Sequence, residues 1–540
     1  METNKKSIFY KRALLVLVIY ALGNRVLKRN PAMNRLLSAS VLGYFLYRLG
    51  APTPAKGTKS WKRLPYIGNL LDYPRLRMNP AGVLLQVSRD SKFDSFSLQL
   101  PGSIEHPLQI VGLHDERDRH YILKGNFQNF KKNYNETMGT DVVFGEVLGE
   151  GIFGIDDEKW RTHRKIAANL FTGKNIGVLF TNIFAQHAEM LRDSLLIFAE
   201  EKKAFDIQLL LQSLIFDTFC MIAFGHSPES FNLALQGQKE PFQVAFDEAQ
   251  KTSSRRFWDP PMLREMKKFF SIGAESEMKD HLQVLNSYVE DMVLQRKKLV
   301  ESSGYVEKDD ILGLYMDHAV RKGRPELLED VFLRDVIMNF MIAGRDTTSY
   351  VTTNIIALLS ENRDFESKLV ERIQEKMKNG VDSFCQNEMK DFPEADAVFN
   401  ESLRMYPSVG NMVRFVQEND TLPSGIEVRS GELVLLPNQS VGRNPKYFED
   451  PEAFKPERWL KTTAAGKTTC ERIDEFKFPF FHGGYRICLG KDMARQEAKI
   501  FMSILFNSLK FSFAKPRKEE FVEGPVIFYR DGVHLYATAR

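Results

Sequence analysis

The chain has 540 residues, 43% hydrophobic and 27% charged, with a formal net charge of +4. This composition excludes a disordered or fibrous chain and supplies enough apolar surface for a large core. So mild a charge argues against nucleic acid as the main partner, and no basic stretch interleaved with aromatics stands ready to grip single strands.

Lys5, Lys6, Lys11 and Arg12 precede an apolar run from Ala13 to Gly23, and Arg25, Lys28 and Arg29 separate it from a second, Leu36 to Tyr47. Each run falls short of the roughly 20 apolar residues that span a bilayer. The first leads into "NRVLKRN" with no small-residue cleavage site, which speaks against a removed signal peptide. Residues 1–50 are therefore expected to be an uncleaved membrane anchor that tilts, hairpins or lies at the interface. Basic residues on both sides of the first run give no orientation. Residues 51–69, rich in Pro, Gly and basic side chains, read as a hinge, and 70–540 as one catalytic domain.

Alternation over 92–112, broken at Pro101, Gly102 and Pro107, predicts a small β region. Apolar periodicity over 176–204, 278–303 and 325–361 predicts long helices. After Tyr406 the composition shifts: 413–437 reads as a pair of hairpins, 491–508 as a helix, and the last thirty residues as strands. The fold class is mainly α with a minor β part.

The stretch from Leu327 to Glu361 is apolar nearly all round, as a helix in the middle of the molecule would be. Inside it lies "AGRDTT", Ala343 to Thr348. Glycine costs about 1 kcal/mol in a helix interior, and an unpaired buried carboxylate costs more. Two readings stay open: a local break whose polar groups line a cavity, or a kink where Thr347 bonds back to its own helix.

The four cysteines, Cys220, Cys385, Cys470 and Cys488, are spaced neither as a disulfide framework nor as CxxC pairs. A zinc site from Cys470, His482 and Cys488 fits no zinc spacing, and a reducing, cytosol-facing compartment is the simplest setting. Cys488 differs from the others. It sits in "FPFFHGGYRICLGKDMA", between glycine-bearing turns and two residues after Arg486. Glycine permits sharp bends and close approach to a flat ligand, and nearby positive charge favours thiolate. A ligand cysteine satisfies all of this.

Phe481, Gly484, Arg486, Cys488 and Gly490 match the pattern FxxGxRxCxG. With "WRTHR" (Trp160 to Arg164), "AGRDTT", "ESLR" (Glu401 to Arg404) and "PERW" (Pro456 to Trp459), the chain resembles the cytochrome P-450, or haem-thiolate monooxygenase, superfamily over roughly residues 60–540. The resemblance implies the cytochrome P-450 fold, with haem b between the long central helix and the cysteine-loop helix. Cys488 would be the axial thiolate that promotes O–O cleavage. Glu401 and Arg404, on one helix face, would form a structural triad with Arg458. Trp160, Arg164, Arg486 and Arg414 would bind the haem propionates, Gly484 and Gly490 would shape the loop, and Phe481 would screen the sulfur. Asp346 and Thr347 would be the catalytic pair that relays protons.

The implied reaction inserts one atom of O₂ into an unactivated C–H bond, with NADPH electrons delivered by a flavoprotein reductase. Lys491, Arg495 and Lys499 recur every four residues. With Arg161 and Lys165 they would make a basic docking face for that reductase, or simply a solvated helix face. The implied location is the endoplasmic reticulum membrane, with the catalytic domain in the cytosol.

Three features resemble the fatty-acid and alkane ω-hydroxylase branch of fungi and plants: Leu148–Ala167, Phe205–Gly225 and Arg345. Tyr485 departs from that branch, standing where a proline is common, and His482 is also unusual there. Ala343 occupies the place of a glutamate that esterifies haem in animal fatty-acid ω-hydroxylases, so covalent haem is not expected. Phe340, Ala343, Val409 and Val526 are the expected cavity residues. A long-chain fatty acid or alkane is the expected substrate, with a steroid, terpenoid or xenobiotic as the rival. A reductase-independent isomerase or dehydratase of lipid hydroperoxides, or a haem protein without catalysis, is disfavoured by the complete Asp346–Thr347 pair.

Overall fold

The computed structural model describes residues 55–60, 79–100, 108–135, 138–169, 171, 180–259, 261–303, 310–472 and 474–540. Both apolar runs of the expected anchor lie outside these residues. Six short strands form the main sheet: β1 (Lys59–Ser60), β2 (Phe96–Leu100), β3 (Leu108–Gly112), β4 (Phe130–Lys131), β5 (Met412–Val416) and β6 (Leu433–Leu436). Their order is β1-β2-β3-β6-β5-β4. β6, with the sequence LVLL, is buried on both faces, which suits its unbroken apolar run in the middle of the sheet.

Within the expected hinge, Lys59 and Ser60 pair in parallel with Phe96 and Ser97, and Ala55 is buried in the core behind the sheet; the rest of the hinge lies outside the described residues. A two-residue strand is too short to announce itself by alternation. The paired hairpins over 413–437 are present and nested: β5 pairs with β6, and between them Asp420–Thr421 pairs with Glu427–Val428.

The predicted helices form at Thr181–Glu200, Glu275–Ser303 and Lys491–Ser508. The helix Ile207–Phe224 is apolar enough to cross a membrane, yet 89% of it is buried inside the protein, so it serves as a core helix. Asp206 caps its start by accepting from the Gln208 N–H at 3.0 Å, and Gly225 ends it at φ +70°.

The long central helix is three segments on one axis: Asp330–Met341, a π turn at Ile342–Asp346, and Thr347–Glu361. At "AGRDTT" the structure shows the break of one reading and the back-bonding of the other, with the polar side chains of Arg345 and Asp346 wholly buried. The π turn is the break, and the Thr347 hydroxyl donates back to the Ala343 carbonyl at 2.7 Å. Gly344 has its own reason. A Cβ there would fall 1.9 Å from the Phe219 ring, so the glycine lets the central helix lie directly on Ile207–Phe224. The loop after Leu148 is fastened to the same helix. Asp335 accepts from the Glu150 N–H at 2.8 Å, Asn339 accepts from the Phe153 N–H at 3.0 Å, and its amide donates to the Leu148 carbonyl at 2.6 Å.

Candidate functional site

The helix Pro393–Met405 carries Glu401 and Arg404, both wholly buried. Arg404 binds Glu401 through Nε at 2.9 Å and Nη2 at 2.8 Å. The remaining capacity of the carboxylate is filled by the Trp459 indole (2.8 Å), the Lys455 N–H (2.8 Å) and Arg458 Nε (3.2 Å). Arg404 also donates to the carbonyls of Gly442, Pro451 and Ala453. A buried ion pair is tolerable only when every lone pair and proton is used in this way. The expected triad is therefore assembled, with Trp459 as a fourth member that the quoted "PERW" already contained.

These contacts tie Gly442–Trp459 beneath the loop that leads to Cys488. Gly484 turns that loop at φ +62°, and a Cβ on it would fall 2.1 Å from the Leu123 carbonyl oxygen. The Gly484 N–H donates to Glu475 at 2.8 Å, and the Cys488 N–H to the Phe481 carbonyl at 2.9 Å. The Phe481 ring stacks on Phe399 at 5.9 Å. Gly490 has an ordinary φ of −86°, and its backbone N–H favours the thiolate form of Cys488. Cys488 is accessible although protein surrounds it, as befits a side chain facing an internal space. Burial pushes its thiol up, while the Gly490 N–H, Arg164 and Lys491 pull it down.

The cations that act on Cys488 are Arg164 and then Lys491, not Arg486 as expected from adjacency in sequence. Arg486 turns away. It donates to Asp156 at 2.7 Å and to the Ile155 carbonyl at 2.8 Å, and it stacks over Trp160 at 4.5 Å. Arg414, on β5, is buried and donates to His482 Nε2 at 2.7 Å and to the Val413 carbonyl at 2.6 Å. Its Nε has no partner. Lys132, which sequence reasoning missed, donates to the Phe153 carbonyl at 2.7 Å. Burial first, then repulsion from Arg486 and Arg414, drives Lys132 well below its usual value. Burial, then Arg486, likewise pushes Arg414 down to about 9.

Asp156 is the carboxylate common to Lys132, Arg414 and Arg486, while Asp157, which also acts on Arg486, is paired with Lys131 at 2.7 Å. Burial pushes all three cations below their usual values, so the cluster is short of counter-charge. Two carboxylates arriving together, such as porphyrin propionates, are what this cluster lacks. The residues present fit a haem.

On the central helix, most side chains are buried, but Ala343 and Thr347, one turn apart, are partly accessible. Asp346 is wholly buried and faces the helix Pro241–Trp258. It accepts from Gln250 at 3.1 Å and lies 3.3 Å from Arg345, which in turn pairs with Asp247 at 2.8 Å. Burial raises the Asp346 carboxyl to about 6, with Asp247 adding to the rise and Arg345 opposing it. Asp247 and Gln250 carry no motif, and nothing in the sequence pointed to them.

Phe340 is buried and stacks on Phe171 at 6.4 Å. Val409 is partly buried, and Val526 lies on the wall of a cavity of about 340 Å³ shared with Gln212, Lys239, Asp247 and Gln250. A larger surface concavity of about 530 Å³, between Pro241 and Tyr288, carries none of the expected groups.

The basic stripe is corrected. Lys499 is buried against Asp396 at 3.0 Å, and Arg495 is half-turned to the same carboxylate at 3.3 Å. Only Lys491 of the three is exposed, together with Lys165 and Arg161. Arg161 is paired with Glu158 at 3.0 Å. Four-residue periodicity marks a face without saying whether it meets solvent or Asp396.

The family model for Cytochrome P450 matches residues 59–530. Cytochrome P450 94A1 of Vicia sativa is 29% identical over 456 residues, covering 83% of this chain and 84% of the relative. Cytochrome P450 704B1 of Arabidopsis thaliana is 32% identical over 429 residues, 72% and 79% of the two chains. Cytochrome P450 86B1 of the same plant is 30% identical over 422 residues, 75% and 73%. The match begins at β1 and runs past the cation cluster, the central helix and the cysteine loop, so the chain belongs to the cytochrome P450 family of monooxygenases.

Proposed function

We propose that the protein hydroxylates a long-chain fatty acid or alkane at a haem b held by Cys488. The observation that carries the cofactor reading is the buried cluster of Lys132, Arg414 and Arg486, short of counter-charge, with an accessible Cys488 in a protein-lined space. Arg414, Arg486, Lys132, Arg164 and Trp160 would hold the propionates, and the Gly490 N–H would steady the sulfur. When bound, the haem supplies O₂ activation and oxygen transfer to a C–H bond.

The chain's own part is to move protons and admit substrate. Asp346, raised to about 6 by burial, gains and loses a proton close to neutral pH. The Thr347 hydroxyl spends its proton on the Ala343 carbonyl, which leaves its oxygen free to accept. Ala343 and Thr347 then present one small apolar and one polar surface on the central helix. The fatty-acid reading rests on the resemblance of Leu148–Ala167 and Phe205–Gly225 to the ω-hydroxylase branch.

NADPH electrons would arrive through a flavoprotein reductase docking near Lys491, Lys165 and Arg161. Residues 1–50 would anchor the catalytic domain to the endoplasmic reticulum membrane, facing the cytosol. In support, the helix Pro261–Phe269 and the turn after it expose Phe269 (82%), Phe270 (62%) and Ile272 (53%) beside Lys267 and Lys268.

Spectral titration tests the substrate. Lauric acid, progesterone and an alkane are added separately while the Soret band is followed for the low- to high-spin shift. Lauric acid or the alkane is expected to give it; a shift with progesterone alone would replace this reading with the steroid one. Cys488→Ser is expected to abolish the reduced carbon monoxide band of a thiolate haem, and its persistence would end the ligand assignment.

A further inference from the structure

His482 stands in the cysteine loop with φ +66°, a left-handed backbone that glycine adopts at lower cost. A bulky side chain retained there needs a reason beyond the turn. Its ring supplies one: Nε2 lies 2.7 Å from Arg414 Nη2, and Nδ1 lies 2.9 Å from both the carbonyl oxygen and the backbone nitrogen of Gly483, so the Arg414 contact is the one that fixes the tautomer. A guanidinium can only donate, so Nε2 is the acceptor and Nδ1 carries the proton. The imidazole is neutral in this arrangement. A charged ring would meet Arg414, Lys132 and Arg486, the three cations that face it.

We infer that His482 is a positioning residue for Arg414, holding the guanidinium by an N–H···N bond so that it presents its free edge to the haem propionates. The Arg414 geometry supports this. Nη1 is held by the Val413 carbonyl and Nη2 by His482, while buried Nε is left without a partner. Two fixed nitrogens set the plane of the fork, and the third is what a carboxylate would engage. The inference rests on the haem reading of the site. It assigns His482 no contact with the iron and no part in proton transfer.

The test compares His482→Gly and His482→Gln in the full-length holoprotein. Glycine relieves the backbone and deletes the acceptor; glutamine places an amide oxygen at a similar reach. Haem transfer to excess apomyoglobin, the haem midpoint potential and the reduced carbon monoxide spectrum are measured for each. His482→Gly is expected to keep the thiolate band, release haem about tenfold faster and show a lower potential, as one charge-assisted hydrogen bond's worth of support is lost. His482→Gln should recover both values. In an Arg414→Ala background, the glycine substitution should change neither. Release at the parent rate, loss of the thiolate band in His482→Gly, or no recovery by glutamine would each overturn the inference. A parent protein that binds no porphyrin would instead overturn the function proposed above.

Discussion

Gly484 faces the backbone of Leu123 so closely that a Cβ on it would stand 2.1 Å from the Leu123 carbonyl oxygen, in a turn with φ +62°. Two penalties therefore fall on one substitution: a strained backbone conformation and a clash with main chain that cannot rotate away. Gly484→Ala is expected to displace the cysteine loop and abolish the thiolate carbon monoxide band. Gly490 is the control. Its φ is −86° and its Cβ would meet only the edge of Phe171 at 3.6 Å. Gly490→Ala should keep the band in the isolated protein, and equal loss in both variants would refute the distinction.

Glu401→Gln leaves Arg404 buried with three carbonyls and no counter-charge. Breaking one partner of such a pair costs about 3–5 kcal/mol. Urea unfolding followed by tryptophan fluorescence should show that loss, and a variant within 1 kcal/mol or so of the parent would show the cluster to be dispensable.

The raised carboxyl of Asp346 makes stability depend on pH. The folded value is about 6 against an ordinary 3.8, so the native state holds more protons than the unfolded chain between those values. Stability therefore falls as pH rises through that window and stays level above it. Asp346→Asn carries no such proton, so its stability relative to the parent should rise by up to about 3 kcal/mol from pH 4 to pH 7. Unfolding curves for both proteins at the two pH values check this; an unchanged difference would mean that the carboxyl titrates normally.

Lys491 and Lys499 should part company. Lys491→Glu is expected to slow reduction by a flavoprotein reductase, most at low ionic strength, because the side chain meets solvent. Lys499→Met should leave the reduction rate of folded protein intact and lower stability, since Asp396 loses one of its two cations. Stopped-flow reduction over a salt series distinguishes the two, and equal slowing by both would restore the continuous stripe.

Phe269 and Phe270 offer a last test. Replacing both with aspartate should weaken binding of the full chain to phospholipid vesicles without altering its carbon monoxide spectrum. Vesicle flotation is the measurement, and unchanged binding would remove this patch from the proposed attachment.

How much of this was legible in the sequence follows from how each feature is encoded. The cysteine loop, the Glu401–Arg404 pair and the central helix announce themselves because their chemistry depends on short spacings along one segment. The nested strands around 413–437 were readable for the same reason. Lys132, Asp156 and the Arg414–His482 bond were not, because each joins segments hundreds or tens of residues apart with no spacing to betray it. Lys499 shows the opposite failure: a true periodicity, read as a solvent face, whose partner Asp396 sits on another helix. β1 escaped notice because two residues cannot alternate long enough to be recognised.

The three hydrogen bonds from Asp335 and Asn339 to the backbone of Leu148, Glu150 and Phe153 have a bearing on movement within the molecule. They rivet the segment after Leu148 to the axle at the molecule's centre. That segment cannot swing aside without breaking all three bonds or turning the axle with it.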